Sequence, residues 1–261
     1  MTAVVVVGCG LLGLLIGSFL NVVIWRVPRG ESIVRPASHC PSCDNDLQAH
    51  DNIPVVSWLL LRGRCRYCQT RISARYPLVE LATAALFAAV AAKVGSHATL
   101  PAYLYLAAIA VALSLIDLDV KRLPNAIVLP SYGVGLVLLG IAAAVEPSWN
   151  SLLRGLFGML AYYGAFFLLV LIYPKGMGFG DVKLAGVLGL YLGYLGWDVL
   201  AVGAFGGVVL GGVTGVVLMS MRRAGRKSAI PYGPFMLVGA LVGLFAGADI
   251  AHAYTHLALR A

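Results

Sequence analysis

Long apolar stretches, separated by short polar breaks, run along nearly the whole chain. A helix that crosses a bilayer needs about 20 mostly apolar residues, and its backbone must be fully hydrogen-bonded within the lipid. Stretches that approach or reach this length lie at residues 3–25, 78–95, 100–118, 125–145, 151–173, 184–198, 199–220 and 231–251. The pattern therefore predicts an all-α polytopic membrane protein with about eight transmembrane helices.

Composition supports a membrane protein over a soluble one. Hydrophobic residues make up 60% of the 261 positions and charged residues only 11%, whereas soluble domains carry about 25% charged residues. A cleaved signal peptide is the alternative interpretation of the first stretch. Signal peptides begin with positive charge, but here Arg26 and Arg29 follow the apolar run. We therefore expect a retained helix with its N-terminus outside.

The net charge of +8 is unevenly distributed. With the N-terminus outside and eight alternating helices, most basic residues fall on the cytoplasmic side: Arg26, Arg29, Arg35, Arg62, Arg64, Arg66, Arg71, Arg75, Lys121, Arg122, Lys175, Lys183, Arg222, Arg223, Arg226 and Lys227. Lys93, Arg154 and Arg260 fall near the outer face. This matches the general bias of Lys and Arg toward the cytoplasmic side, beside anionic lipid. The positive charge does not require a nucleic-acid partner.

The segment 26–77, between the first two helices, is the one predicted module outside the membrane. It contains Cys40, Cys43, Cys65 and Cys68 in two CxxC pairs. Two such pairs can place four thiolates around one tetrahedral ion, most commonly zinc. We predict a structural zinc site in a loop too short to bury a large core. The alternative is a redox or unmetallated cluster, and neither His39 nor Cys9 is needed as a ligand.

Several acidic residues lie at or near the apolar stretches, where ionisable groups are costly and are candidates for function. They are Glu80, Asp117, Asp119, Asp181, Asp198 and Asp249. The predicted orientation puts Asp117 and Asp181 at the cytoplasmic ends of two different helices. Facing carboxylates that cannot both ionise share a proton, so that one activates water and the other protonates a leaving group. The pair therefore predicts an aspartic-protease dyad.

Other interpretations of these acids stay open from the residues alone. Asp181 can cap its helix, and Glu80 can act as a cap or pair with Arg75. Asp117 and Asp119 can be interfacial residues that pair with Lys121 and Arg122. The same carboxylates also suit a proton pathway in a transporter.

Three further residues are supporting candidates for the site. Gly178 and Gly180 allow close approach of an extended peptide, and Lys183 either biases protonation or faces lipid headgroups. The 31 glycines favour close helix packing, with Gly135, Gly140, Gly155 and Gly158 as examples.

Eight motifs occur in one order along residues 17–235. They are Gly17-Ser18-Phe19-Leu20-Asn21-Val22-Val23, Cys40-Pro41-Ser42-Cys43, Asp51-Asn52-Ile53-Pro54-Val55-Val56-Ser57-Trp58, Gly63-Arg64-Cys65-Arg66-Tyr67-Cys68, Arg75-Tyr76-Pro77-Leu78-Val79-Glu80-Leu81, Ser114-Leu115-Ile116-Asp117-Leu118-Asp119 with Leu123-Pro124-Asn125, Gly176-Met177-Gly178-Phe179-Gly180-Asp181-Val182-Lys183-Leu184, and Ile230-Pro231-Tyr232-Gly233-Pro234-Phe235. In these motifs the chain resembles the bacterial type IV prepilin peptidases, which are bifunctional leader peptidases and N-methyltransferases.

The resemblance implies that Asp117 and Asp181 are the catalytic pair, with Asp119 as an auxiliary residue. It implies cleavage of prepilin or pseudopilin leaders at the cytoplasmic face of the inner membrane, followed by methylation of the new amine with S-adenosylmethionine. The cysteine module is associated with methylation. We accordingly predict three regions: a first helix at 1–25, a cytoplasmic four-cysteine module at 26–77, and a helical peptidase core at 78–261.

Overall fold

A computed structural model describes residues 2–174, 177–221 and 231–258. Across these residues the chain forms nine α-helices: α1 (Thr2–Arg26), α2 (Val56–Leu60), α3 (Arg75–Val94), α4 (Leu100–Val120), α5 (Asn125–Val145), α6 (Trp149–Ile172), α7 (Phe179–Leu195), α8 (Trp197–Ser220) and α9 (Gly233–Ala258). Some positions used above for orientation and motifs lie outside the described residues: Lys175, Gly176, Arg222, Arg223, Arg226, Lys227, Ile230 and Arg260.

Seven of these helices are long and apolar enough to cross a membrane: α1, α3, α4, α5, α6, α8 and α9. They confirm seven of the predicted spans, with ends that shift by a few residues. The eighth, α7, has 17 residues and begins at Phe179 rather than at position 184. At 1.5 Å per residue it is about 25 Å long, which is shorter than a hydrocarbon core of about 30 Å.

Helix α7 is a buried helix rather than a lipid-facing one. Twelve of the thirteen residues from Val182 to Tyr194 are buried, and the exception, Lys183, is half-buried. Its apolar side chains therefore face other helices on all sides, as expected for a helix without a polar face. The predicted membrane span at 184–198 is corrected: the helix there is Phe179–Leu195, which is too short to count among the candidate spans.

Contacts divide the chain into two compact units. The first contains residues 1–100 with 107–112, and the second contains 101–106 with 113–261. In the first unit α1 packs along α3. A Cβ atom on Gly13 would lie 2.7 Å from Ala84 Cα, and one on Gly17 would lie 2.7 Å from Glu80 Cα. The two glycines therefore permit a backbone approach that any side chain would prevent.

Within the first unit Glu80 joins α3 to the loop that precedes it. The backbone N–H of Val55 donates to Glu80 Oε2 at 2.7 Å. The Glu80 side chain also hydrogen-bonds to Ser18 of α1, and the residue is only 8% exposed. Glu80 is thus a buried anchor between three segments, a role that the sequence did not indicate.

The second unit is held together mainly by two helix pairs, α6 with α7 and α8 with α9. Three of the four glycines predicted to pack do so: a Cβ on Gly135 would lie 2.9 Å from Tyr191, one on Gly155 2.8 Å from the Leu190 oxygen, and one on Gly158 2.6 Å from the Gly189 oxygen. Gly140 faces open space, so its predicted packing role was wrong.

The C-terminal end of α7 is capped by an arginine from α6. Arg154 donates from Nε to the Gly193 oxygen at 2.8 Å, and from Nη2 to the Tyr194 and Leu195 oxygens at 2.6 and 3.0 Å. The last carbonyls of a helix have no partner within it, and a cation there also complements the helix dipole. Arg154 therefore fixes the register of α7 against α6.

Substitution of Gly189 by alanine is expected to destabilise the α6–α7 pair. The new methyl group would collide with the carbonyl oxygen of Gly158, and overpacking of this kind costs about 1–3 kcal/mol. Gly164→Ala in α6 is the matched control, because a Cβ there meets nothing within 4 Å. Thermal unfolding in detergent should give a lower midpoint for Gly189→Ala than for Gly164→Ala. Equal midpoints would contradict this account of the packing.

Candidate active site and metal centre

Asp117 lies in the last turn of α4, which ends at Val120. The helix stops where Lys121 adopts a left-handed backbone, with φ of 52°. The turn that follows leads to Pro124, which precedes α5. The side chain of Asp117 is directed inward, and the residue is only 5% exposed. The predicted location at the end of a membrane helix is confirmed.

Asp181 lies in the first turn of α7, three residues after the N-cap residue Gly178. Its carboxylate accepts a hydrogen bond from the Gly178 backbone, and its own N–H donates to the Gly178 oxygen at 3.1 Å. A carboxylate at this position pairs with an otherwise unbonded N–H and complements the helix dipole. Asp181 therefore lies in the first turn, where it complements the helix N-terminus as the capping interpretation expected, although the N-cap residue itself is Gly178.

The two aspartates share one cavity in the second unit. It has a volume of about 240 Å³ and is lined by Asp117, Lys121, Arg122, Leu123, Gly178, Gly180 and Asp181. The carboxylates are close enough for the charge of Asp117 to act on Asp181. Two acids from separate helices therefore border the same partly enclosed space, with basic residues at its rim.

Asp117 is held by a residue whose role the sequence did not indicate. The backbone N–H of Gly233, the first residue of α9, donates to Asp117 Oδ2 at 3.0 Å. A Cβ on Gly233 would lie 2.9 Å from the same oxygen. Only glycine allows this approach without displacing the carboxylate. The available signal was its place in the motif at 230–235, between Pro231 and Pro234, but the motif gave no indication of the partner.

Leu123 lines the same cavity as the two aspartates. A Cβ on Gly180 would lie 3.1 Å from Leu123 Cβ, and one on Gly233 would lie 3.1 Å from Leu123 Cδ2. Gly180 therefore makes room for the leucine, in addition to any contact with a peptide. A Cβ on Gly178 would meet Asp181 Oδ2 at 3.5 Å and the Gly180 nitrogen at 4.0 Å, which are ordinary contacts. Gly178 borders the cavity without this constraint.

Lys183 faces another helix, not lipid headgroups alone. Its Nζ donates to Asn125 Oδ1 at 2.9 Å, and its carbonyl oxygen accepts from the Tyr132 hydroxyl at 2.6 Å. Both contacts tie the start of α7 to α5.

Asp119 is exposed and is not among the described residues that line the cavity. It lies two residues after Asp117, and residues two apart on a helix point to different sides.

The four cysteines of the first unit come together. Their sulfur atoms all lie within 4.8 Å of one another, while Cys9 lies in α1. Each CxxC pair forms the same turn: the residue four after the first cysteine, Asp44 or Gln69, has φ of 57° or 58° and donates its N–H to that cysteine's oxygen. The two pairs therefore present their thiols from two similar knuckles.

The spacing of the sulfur atoms suits a tetrahedral metal ion. Zinc–thiolate bonds of about 2.3 Å place the sulfurs about 3.8 Å apart, and Cys40 Sγ lies 3.8 Å from Cys68 Sγ. Cys40 and Cys65 are buried, and burial raises the pKa of the Cys40 thiol to about 11. A divalent cation would keep such a buried thiol ionised. The donor set can therefore hold a metal ion, and His39 lies outside it.

An ion pair stabilises the module beside the cysteines. Asp51 Oδ1 accepts from Arg66 Nη2 at 2.7 Å, and the Asp51 side chain is only 3% exposed. Arg66 lowers the pKa of the Asp51 carboxyl below its usual range. The pair gives the buried Asp51 carboxylate a partner within the module, while the Arg66 side chain stays 45% exposed.

Comparison with known proteins covers most of the chain. Residues 11–94 match the bacterial peptidase A24 N-terminal domain, and residues 104–216 match the type IV leader peptidase family. These ranges include the cysteine module and both aspartates. No solved structure gives a significant match.

Individual relatives match over nearly their full lengths. The prepilin leader peptidase/N-methyltransferase of Stutzerimonas stutzeri is 37% identical, over 95% of this chain and 92% of the relative. The proteins of the same name from Pseudomonas aeruginosa and Aeromonas hydrophila are 35% and 37% identical, over 95% and 94% of this chain and 92% and 91% of the relatives. At this identity and coverage, with both family regions present, the chain belongs to the type IV leader peptidase family.

Proposed function

We propose that this membrane protein is an aspartic endopeptidase that removes the leader peptide of type IV prepilins or pseudopilins and then methylates the new N-terminal amine. The observation that carries the peptidase assignment is that Asp117 and Asp181, from different helices, border one cavity. Relatives over nearly the full length bear the same two activities in their names. The family assignment replaces the transporter alternative, which used the same carboxylates.

The dyad cleaves a peptide bond by general acid–base catalysis. One carboxylate takes a proton from a water molecule, whose oxygen attacks the scissile carbonyl carbon. The other, in its neutral form, gives a proton to the amide nitrogen as the C–N bond breaks. The Gly233 and Gly178 backbones each donate one hydrogen bond to one aspartate. Both carboxylates therefore keep fixed positions while protons move between them.

Four neighbouring residues support this site in our proposal. Gly178 and Gly180 border the cavity and give an extended peptide access to Asp181. Lys183 fixes the start of α7 through Asn125. Asp119 acts as an auxiliary residue from outside the cavity, through the local field at the end of α4.

The cysteine module is proposed to hold one structural zinc ion through Cys40, Cys43, Cys65 and Cys68. A site with four protein ligands has no open position for catalytic water, so the metal's contribution is to fold the loop.

S-adenosylmethionine is the proposed methyl donor, and we assign no residues to it. The proposed regions remain a first helix at 1–25, the module at 26–77 and the peptidase core at 78–261. We propose that the protein lies in the inner membrane, with the cysteine module and the active site on the cytoplasmic side. Its partners are the prepilin substrates and the lipid bilayer, and no nucleic acid is required.

The double substitution Cys40→Ser with Cys65→Ser is expected to release the zinc and to reduce methylation more than peptide cleavage. It removes the two buried ligands, one from each knuckle, while the aspartates lie in the other unit. Elemental analysis of purified protein gives the metal content, with Cys9→Ser as the matched control that should retain full metal. Normal zinc content in the double variant would refute the four-cysteine site.

Mass spectrometry of prepilin N-termini tests the overall function. Candidate prepilins are isolated from cells with and without this protein. With the protein present, the leader should be absent and the new N-terminus should carry the mass of one methyl group. Intact leaders in both strains would refute the peptidase, and a cleaved but unmethylated product would refute only the second activity.

A further inference from the structure

The loop segment 53–60, which includes α2, is held alongside membrane helices. Val55 donates its N–H to Glu80 of α3, and Glu80 is also bonded to Ser18 of α1. Ser57 is buried and donates its hydroxyl to the His50 oxygen at 2.6 Å. The segment is therefore bonded on its inner side to Glu80 of α3, which in turn contacts α1, and to its own module.

The attachment point lies on the membrane side of two interfacial aromatic residues. Trp25 at the end of α1 and Tyr76 at the start of α3 are 55% and 44% exposed, and such residues mark the boundary between lipid and water. At 1.5 Å per residue, Ser18 lies about 10 Å beyond Trp25, and Glu80 about 6 Å beyond Tyr76, toward the middle of each helix. Val55 is bonded at that level, so the chain returns toward the membrane there.

The outer side of the segment is apolar. Ile53, Val56, Leu59 and Leu60 are 49%, 48%, 61% and 78% exposed, although they lie within eight consecutive residues. Water-exposed apolar clusters of this kind mark contacts with a partner or a membrane. The exposed Arg62 and Arg64 follow directly. Arginine next to an interfacial apolar face can reach lipid phosphates while its stem stays among the acyl chains.

We propose that residues 53–60 form an interfacial element that inserts into the bilayer beside α1 and α3. Ile53, Val56, Leu59 and Leu60 contact acyl chains, and Arg62 and Arg64 contact the phosphates of anionic lipids. The backbone N–H of Val55 pairs with Glu80, which satisfies a polar group at a depth where water is scarce. The element holds the cysteine module against the membrane surface, a placement that does not depend on the proposed peptidase activity.

Nitroxide accessibility in lipid nanodiscs tests this placement. The full chain carries a nitroxide on an unnatural ketone amino acid at position 60, which leaves the cysteines unlabelled, in nanodiscs of phosphatidylcholine and phosphatidylglycerol. A label in lipid is relaxed strongly by oxygen and weakly by a water-soluble nickel chelate. Position 59 is an independent second site, and position 44 is the aqueous control, because the Asp44 side chain is 94% exposed.

The expected result is that labels at 59 and 60 are accessible to oxygen and protected from nickel, with the opposite pattern at 44. Nickel accessibility at 59 and 60 equal to that at 44 would overturn the proposal, because the segment would then lie in water. Protection from both reagents would also overturn it, since a second copy of the chain or another protein would then cover the apolar face. A zinc measurement on each labelled protein verifies that the module is intact.

Discussion

Asp117→Asn and Asp181→Asn are each expected to lower the rate of leader cleavage by about 10²–10⁴-fold, because general acid–base catalysis contributes that much. An asparagine side chain has the size of aspartate and can still accept the hydrogen bond from Gly233 or Gly178. It cannot take up or release a proton at neutral pH. The measurement is the initial rate of cleavage of a purified prepilin in detergent, followed by the appearance of the shortened product.

Two controls separate loss of chemistry from loss of structure. Asp249→Asn changes an exposed carboxylate near the opposite end of α9, sixteen residues or about 24 Å of helix from Gly233, and it should cleave at the normal rate. Thermal unfolding of both active-site variants should stay close to that of the unchanged protein. Full cleavage by either Asp117→Asn or Asp181→Asn would eliminate the dyad.

The sequence singled out the candidate active-site and metal-site residues better than it indicated the contacts that hold them. Carboxylates within apolar stretches are costly, so Asp117 and Asp181 were candidates for function even without exact helix ends. The cysteine spacing was equally informative, because two CxxC pairs have few other uses. In both cases the signal is local: the residue type and its immediate neighbours already carry the physical argument.

The contacts that hold the site could not be predicted, because they join distant parts of the chain. The Gly233–Asp117 hydrogen bond spans 116 residues, and the contacts of Arg154 with α7 span 39 to 41. Asp181 was correctly expected at a helix end, but the apolar stretch was placed five residues late, at 184 instead of Phe179, for a related reason. Gly178 and Gly180 suggest a loop, but Asp181 caps the first turn, and packing supplies the stability that helix propensity lacks.

The polar residues of the first unit illustrate the same limit. Glu80 had Arg75 as a plausible partner nearby in the sequence, and Asp51 had a plausible exposed position in a loop. Their observed partners, Val55 and Arg66, lie 25 and 15 residues away. A single sequence gives the cost of burying a carboxylate but not the donor that compensates for it.

Gly233→Ala is expected to reduce the kcat of leader cleavage by about 10–100-fold, because displacing a catalytic group by about 1 Å can cost 10²-fold. Alanine keeps the backbone N–H, so the change tests the methyl group, which would lie 2.9 Å from Asp117 Oδ2. The carboxylate must turn away or α9 must shift. Gly233 contacts Asp117 but, in the part of the chain that the structure describes, is not among the residues that line the cavity, so we expect KM to change much less than kcat.

The matched control for Gly233→Ala is Gly206→Ala in α8, where a Cβ would lie at an ordinary 3.8 Å from Gly239 Cα. This variant should retain its kcat. The pH dependence of kcat gives a second readout, because a displaced Asp117 changes how the dyad shares its proton, whereas a general packing defect lowers the rate equally at every pH. An unchanged kcat in folded Gly233→Ala protein would show that the Gly233 contact does not position the catalytic carboxylate.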